Sequence, residues 1–514
     1  MVATSQPLAA QAGLEMMRKG GNAVDAAIAT AAALTVLEPT SNGLGSDSFA
    51  LIWTNDNLYG LNSSGTAPIN ISREEIINRG YDKIPEYGFI PVTVPGAPAS
   101  WAKISDRFGI LPFKEILKPA IHYAEKGYPV SPVTARLWQS AFKKYQTVLK
   151  ADKYKYWFET FAPDNRAPYP GEVWKSPDHA STLKSIAETD SESFYKGEIA
   201  RKIIEFSSKY QGFLSEEDLH SFSPEWVDPV GINYKGYRVW EIPPNGQGIV
   251  ALIALNLLKQ MNFPAKNTVE TYHNQLEAIK LAFADGKKYI TDKKEMRVEV
   301  DKLLSENYAE KRRKLINRKA GNPESGHFPD GDTVYLAAAD NKGNMVSFIQ
   351  SNYLGFGSGL VVPGTGISLQ NRGNCFSLKP EHDNCIKPGK KPYHTIIPGF
   401  LTQNNFPVGP FGVMGGYMQP QGHLQVIMNT IDFNLNPQAA LDAPRWRWIE
   451  GKKINLEPQF PLNIAKLLEE KGHNIDIALN SYSFGRGQII WYDREKQVLM
   501  GGTEPRADGT IAAY

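Results

Sequence analysis

Cysteine is scarce in this chain, with two, Cys375 and Cys385, in 514 residues. A secreted domain stapled by disulfides carries more, so both are expected as free thiols in a reducing compartment. Long apolar runs are lacking too. The longest, Ala26 to Leu37, is broken by Thr30 and Thr35 and is too short to cross a bilayer. No basic stretch followed by an apolar one opens the chain, so no secretion signal is legible. These absences are those of a soluble cytoplasmic protein with no membrane partner. A dominant charge is also missing. The 56 basic and 54 acidic residues leave a net +2, mixed along the chain, which excludes nucleic acid as the main partner. Compact zinc spacing is absent as well. Cys375, His382, Cys385 and His394 match no short Cys/His motif. They are read as loop and pocket lining, with no metal or other cofactor expected.

What is present is a globular composition, 42% hydrophobic and 11% aromatic, with material for a large core. Residues 22–37 are rich in Ala behind an Asn suited to capping, which predicts a buried helix. A Gly/Ser loop, Glu38 to Ser48, leads into a strand from Phe49 to Trp53. Amphipathic patterns predict helices over 100–107, 112–126 and 273–289. Ser215 to Asp218 reads as a capping box, and 234–244 as a short strand stopped by two prolines. Residues 130–190 show no clean period and predict short helices and surface loops. Residues 316–330 are polar and rich in Gly and Pro, the composition of an exposed, flexible loop. Beyond them strands dominate: 333–340, 344–353, GLVVP, GISLQ, HTIIPGFLTQ, PVGPFGVMGG and 487–493, with a helix at 422–431. Helices prevail in the first half and strands in the second, with no linker between them. That pattern predicts one α+β body.

The turn between the first two of these strands sets a register. In DNKGN, Gly343 suits the left-handed position that closes a type I turn with a bulge. Asp340 then pairs with Asn344, and Thr333 falls opposite Ser351, hydroxyl beside hydroxyl. A two-residue loop would bring Asn352 there instead. By itself, Thr at the start of a strand is an ordinary β-former. Its hydroxyl becomes a useful nucleophile if cleavage between Asp332 and Thr333 makes it an N-terminus, because its own α-amine can then act as base. The unperturbed pKa of that amine, about 8, suits general-base work near neutral pH. The flexible segment upstream gives the new end room to move.

Several segments resemble the gamma-glutamyltranspeptidase family of N-terminal-nucleophile hydrolases nearly end to end. They are PLAAQAGLEMMRKGGNAVDAAIA, EPTSNGLGSDSFALIW, EAIKLAFADGKKY, NPQAALDAPRWRW and the closing DGTIAAY. TVYLAAADNKGNMVSF is similar to the start of the family's small subunit and places the nucleophile at Thr333. The resemblance implies a four-layer αββα sandwich. It also implies self-cleavage into a large-subunit segment, 1–332, and a small-subunit segment, 333–514, which stay together as one structural domain. A homodimer of such heterodimers is compatible with it. APINISR resembles the segment whose arginine grips the substrate's α-carboxylate, which selects Arg73. The glycines of GVMGGY, Gly415 and Gly416, resemble the oxyanion hole. Ser351 stands for the family's supporting Thr.

Departures concentrate on the acyl side. Family transpeptidases carry an aspartate, in a pattern like NNQMDDF, that pairs with the substrate's α-amine. Here QNRGNCF puts Cys375 in its place and Arg372 where a glutamine is usual. His394 and Thr395 replace the serine pair that binds the α-carboxylate, and Tyr353 stands where an asparagine is common. The stretch from Phe376 to Pro392 is shorter than in members with a lid loop, which predicts an open cleft. The anchor for a positive amine is gone while cationic groups remain, and a buried ammonium without a counter-charge is costly. With NRG, PYHTIIP and GGYMQPQGH, the pattern is similar to the branch called cephalosporin-acylase-like.

The family implies a self-processing amidase or acyltransferase acting on γ-glutamyl, glutathione-like amides, with water or an amine acceptor resolving the acyl-enzyme. The departures open an alternative, an acylase for carboxylated acyl groups such as glutaryl that lack an α-amine. A reading of another class is an unprocessed relative that only binds carboxylated ligands.

Overall fold

The computed structural model describes residues 1–323 and 331–514. Two antiparallel sheets form its centre. In the first, of seven strands, the order is Thr510–Ala512, Val2–Thr4, Asp332–Ala339, Met345–Tyr353, Asp47–Thr54, Asn57–Ser63 and Glu225–Val227. In the second, of six, it is Val498–Thr503, Arg486–Asp493, Phe406–Met414, Gly399–Gln403, Tyr237–Glu241 and Val230–Tyr234.

Alternation along each strand decides the layers. In the Asp332–Ala339 strand, Val334, Leu336 and Ala338 pack under the helices Pro7–Arg18 and Ala23–Leu37. Their neighbours Tyr335, Ala337 and Ala339 face the other way, into a core with Phe400, Met414 and Ile490 of the second sheet. The far face of that sheet, through Val239, Leu401 and Val413, lies under the helices Gly248–Leu258, Val269–Tyr289 and Met418–Ile431. The result is the expected α+β body, a four-layer αββα sandwich. Thr333 has the parity of Tyr335, so its side chain points between the sheets.

The Ala23–Leu37 helix shows why small residues recur here. Every one of its residues is buried, and Asn22 and Asp25 close the capping box, a device worth about 1 kcal/mol. Gly13 lets the neighbouring helix come close, since a Cβ there would lie 2.3 Å from Thr30 Oγ1. The strand expected near Phe49 is Asp47–Thr54, and the helix expected at 273–289 is Val269–Tyr289. The capping box at Ser215 and Asp218 is formed.

Two expectations need correction. Residues 130–190 are not mainly short helices and surface loops, because a helix spans Pro132–Val148 and another Pro177–Glu188. Trp138, Trp157, Phe161 and Trp174 meet there in a buried cluster with Phe356. Aromatic burial, not helical period, organises that stretch. GLVVP and GISLQ are not strands. Pro363 and the positive φ of Gly364 and Gly366 leave only isolated bridges, Val361 to Ser368 and Gly45 to Leu369. The short strand expected within 234–244 is Tyr237–Glu241, which ends before Pro243 and Pro244 and pairs in a hairpin with Val230–Tyr234. Of the expected loop 316–330, residues 324–330 lie outside the described residues. Residues 317–321 are held in place, as shown below. Among the described residues, no helix is long and apolar enough to cross a membrane.

Candidate active site

The hairpin that carries Thr333 has the expected turn. Gly343 has φ +84°, and Asp340 N–H donates to Asn344 O over 3.1 Å. The register holds from Met345 opposite Ala339 to Gln350 opposite Val334, then shifts, so that Tyr353 opposes Asp332. The bulge re-aims the strand end at Ser351. Tyr353 takes φ +78° there, a conformation costly for a bulky residue.

Thr333 and Ser351 are both buried. Thr333 Oγ1 donates to Ser351 Oγ over 3.1 Å, so Ser351, not Asn352, is its neighbour. Ser351 Oγ donates in turn to the carbonyl oxygen of Asp332 over 2.8 Å and accepts the Tyr353 N–H over 2.8 Å.

Gly415 and Gly416 follow the Phe406–Met414 strand with φ +131° and +56° and lead into the Met418–Ile431 helix. Non-glycine residues rarely hold such angles. Backbone N–H groups near a helix N-terminus favour developing negative charge. From the first turn of that helix, Gln419 Nε2 reaches Thr333 Oγ1 at 3.5 Å, while Gln419 Oε1 accepts the Ile397 N–H at 2.9 Å. Gly331, two residues before the nucleophile candidate, lies on Gly416. A Cβ on Gly416 would come within 2.9 Å of Gly331 N.

Arg372 is fully buried. Nη1 donates to Thr395 Oγ1 over 2.6 Å, and the guanidinium carbon lies 4.4 Å from the centre of the Tyr353 ring. Nε is 3.9 Å from Asp47 Oδ2. Among the described residues, Nε and Nη2 have no hydrogen-bond partner. Asp47 also accepts His394 Nε2–H over 2.9 Å and Gly65 N–H over 3.2 Å. Burial pushes the Asp47 carboxyl up to about 7, with Arg372 pulling against it. Burial, reinforced by Arg372, holds His394 well below its usual value, so its ring is neutral. Cys375 is a free thiol raised by burial and drawn back by Arg372 and Tyr353. Tyr353, Cys375, Tyr393 and Tyr417 line one side of a cleft of about 1760 Å³.

Arg73 is not brought to this group. Its Nε donates to Leu378 O over 2.6 Å, Nη1 pairs with Glu74 at 3.4 Å, and it lines a surface pocket that adjoins the cleft, sharing Phe376 and Lys379 with it. It starts a short helix capped by Ser72, which turns it away from the sheets. Gln419 and Asp47 are additions to the residues read from the sequence. The signal for Asp47 was a carboxylate entering a buried strand. That for Gln419 was an amide just after a glycine pair.

Cys375, His382, Cys385 and His394 do not converge as metal ligands. Among the described residues, the group with three ligand atoms within 4.8 Å of one another is His273, Glu277 and His473. These atoms are already engaged. Lys280 Nζ lies 2.8 Å from Glu277 and 3.4 Å from His473 Nδ1, the two rings meet at 2.9 Å, and His273 Nε2 reaches Asn317 O at 2.7 Å. Glu277 takes the Gly321 N–H at 2.9 Å. The network clamps residues 317–321 against the Val269–Tyr289 helix.

A family model described as Gamma-glutamyltranspeptidase matches residues 9–514. The chain belongs to the gamma-glutamyltranspeptidase family. Among its relatives is the glutathione hydrolase-like YwrD proenzyme of Bacillus subtilis, 34% identical, with 99% of this chain and 97% of that one covered. An oxamate amidohydrolase proenzyme of Klebsiella pneumoniae is 33% identical over 100% of this chain and 98% of its own. The crystal structure of a cephalosporin acylase from Bacillus halodurans is 61% identical, with TM-score 0.98 over 100% of this chain and 95% of that one. Membership makes the protein an enzyme of the transpeptidase and acylase type, with the N-terminal-nucleophile fold.

Proposed function

We propose that the chain cuts itself between Asp332 and Thr333 and that Thr333 then serves as the nucleophile of an amidase for acyl groups bearing a distal carboxylate. The observation that carries this is the linked set of hydroxyls: Thr333 to Ser351, and Ser351 to the Asp332 carbonyl. In the cut, Thr333 Oγ adds to the Asp332 carbonyl carbon, and Ser351 stabilises the oxygen as it gains charge. The C–N bond breaks, its electron pair stays on the Thr333 nitrogen, and that nitrogen takes up the proton released by Oγ. Water hydrolyses the resulting ester, leaving the Asp332 α-carboxylate and a Thr333 with a free amine and hydroxyl. That relatives with this chain length are named proenzymes supports the reading.

After the cut the amine is the base, as in other N-terminal nucleophiles. Thr333 Oγ attacks the substrate carbonyl, and the N–H groups of Gly415 and Gly416 serve the oxyanion. Removing one such donor costs about 3–4 kcal/mol of barrier. The proton passes to the leaving amine, and water, or an acceptor amine, then releases the acyl group. Segments 1–332 and 333–514 remain one body, because the Asp332–Ala339 strand lies between Val2–Thr4 and Met345–Tyr353.

For the acyl carboxylate we assign Arg372 in place of Arg73. Its Nε and Nη2 form one edge of the fork, the edge that carboxylates grip with two hydrogen bonds. Unmet buried donors cost about 1–3 kcal/mol each, which a carboxylate ligand relieves. Tyr353 and Thr395 hold the fork in place, and His394 acts through Asp47. Cys375 offers no charge to an α-amine, so glutaryl-like groups fit better than γ-glutamyl. The 61% identity to a cephalosporin acylase supports that choice. The second reading, γ-glutamyl amides such as glutathione, is favoured by the likeness to a glutathione hydrolase-like proenzyme. Comparing kcat/KM on glutaryl and γ-glutamyl p-nitroanilide separates them. We expect glutaryl to be preferred, and a strong γ-glutamyl preference would refute the acyl-pocket assignment.

A further inference from the structure

Nothing in the amidase reading uses Arg486. It opens the Arg486–Asp493 strand, opposite Met414 and one residue from the glycine pair. Its buried guanidinium has two partners. Nη1 lies 3.2 Å from Glu38 Oε1, and Nη2 lies 3.2 Å from Asp332 Oδ1. Glu38 is fixed in turn, since the Ser5 hydroxyl donates to its other oxygen. Burial raises the Glu38 pKa, and Arg486 opposes that rise. Glu38 therefore holds one arm of Arg486 rigidly, and the other arm reaches the residue whose carbonyl is to be attacked. The Asp332 side chain is itself 36% exposed, so it is not locked by packing alone.

We infer that Arg486 is a positioning residue for self-cleavage, acting through the Asp332 carboxylate. The inference rests on the reading that the chain cuts between Asp332 and Thr333. Two effects follow from the geometry. The ion pair fixes Asp332 so that its carbonyl oxygen stays on Ser351 Oγ. It also offsets the repulsion between the Asp332 carboxylate and the oxyanion that forms on the same residue. Once the ester is hydrolysed, Asp332 ends the large segment and takes no part in turnover, so the contact serves maturation and not the amidase step.

The test follows the appearance of two fragments on denaturing gels for the full chain, Arg486→Gln, Asp332→Ala and the double variant. Each single change should slow cutting about tenfold or more, the loss expected for one charge-assisted contact. The double variant should be no slower than the slower single within about twofold, because both remove the same contact. Arg486→Lys should recover part of the rate. Turnover per cleaved molecule of Arg486→Gln should stay within about twofold of the parent. Wild-type cutting by Arg486→Gln, or a double variant slowed by the product of the two singles, would overturn the inference. If Arg486→Gln fails to fold, as judged by melting, Asp332→Ala decides alone, and an unchanged rate overturns it. Cutting in Thr333→Ala would instead refute the underlying reading.

Discussion

The two sides of the candidate site are built from different materials. Around Thr333 the working groups are hydroxyls, an amide and backbone N–H groups: Ser351, Gln419, Gly415 and Gly416. Around Arg372 they are buried charges and rings: Asp47, His394, Tyr353 and Cys375. The first side is held by a sheet register and a helix start, which depend on backbone geometry. The second is held by ion pairing that only a dry interior makes strong. Tyr353 and Gln247 link the two: the Tyr353 N–H donates to Ser351 Oγ while its ring lies against Arg372, and Gln247 Nε2 donates to Gly416 O and to Thr395 O.

Substitutions separate the two sides. The largest effect is expected at the backbone side. Gly416→Ala places a Cβ against Gly331 in the uncut chain and disfavours φ +56°. Cutting should stall, and kcat of any cleaved fraction should fall about 10²–10³-fold, read from gels and single-turnover assays. Arg372→Met comes next. It should leave self-cleavage near the parent rate yet lower kcat/KM on glutaryl p-nitroanilide about 10–100-fold, mainly through KM. Equal losses of cutting and of KM would show that the sides are one unit.

The smallest effect concerns pH. The folded Asp47 carboxyl is raised to about 7, above its unfolded value. Its contribution to stability is thus complete below about 4 and is lost as pH climbs through about 7. Asp47→Asn should flatten the stability–pH curve over that window, a change of a few kcal/mol at most. Urea unfolding of the uncut Thr333→Ala chain at several pH values measures it.

Much of the backbone side was legible in the sequence. The turn DNKGN sets the pairing of Thr333 with Ser351 because period and turn type are local properties. The bulge before Tyr353 was not legible, since it depends on what the strand end meets. Alanines 23–37 announced a buried helix, whereas the aromatic residues between 130 and 190 hid a core that no single period marks. The acyl side was harder. Asp47 and His394 meet there across 347 positions, and beside the nucleophile candidate Arg486 and Asp332 meet across 154. Neither pair leaves a local signal. That Arg73 sits apart from the Arg372 group was not legible for the same reason. A short resembling segment fixed its identity but not its direction, and its cap at Ser72 turns it to the surface.

The account stands on Thr333 becoming an N-terminus. Incubating the purified full chain and sequencing the fragments from their N-termini tests that directly. The account predicts two fragments, the smaller beginning Thr333-Val334-Tyr335, and a single intact band for Thr333→Ala. A parent chain that stays whole through long incubation, or a smaller fragment with any other first residue, would contradict it.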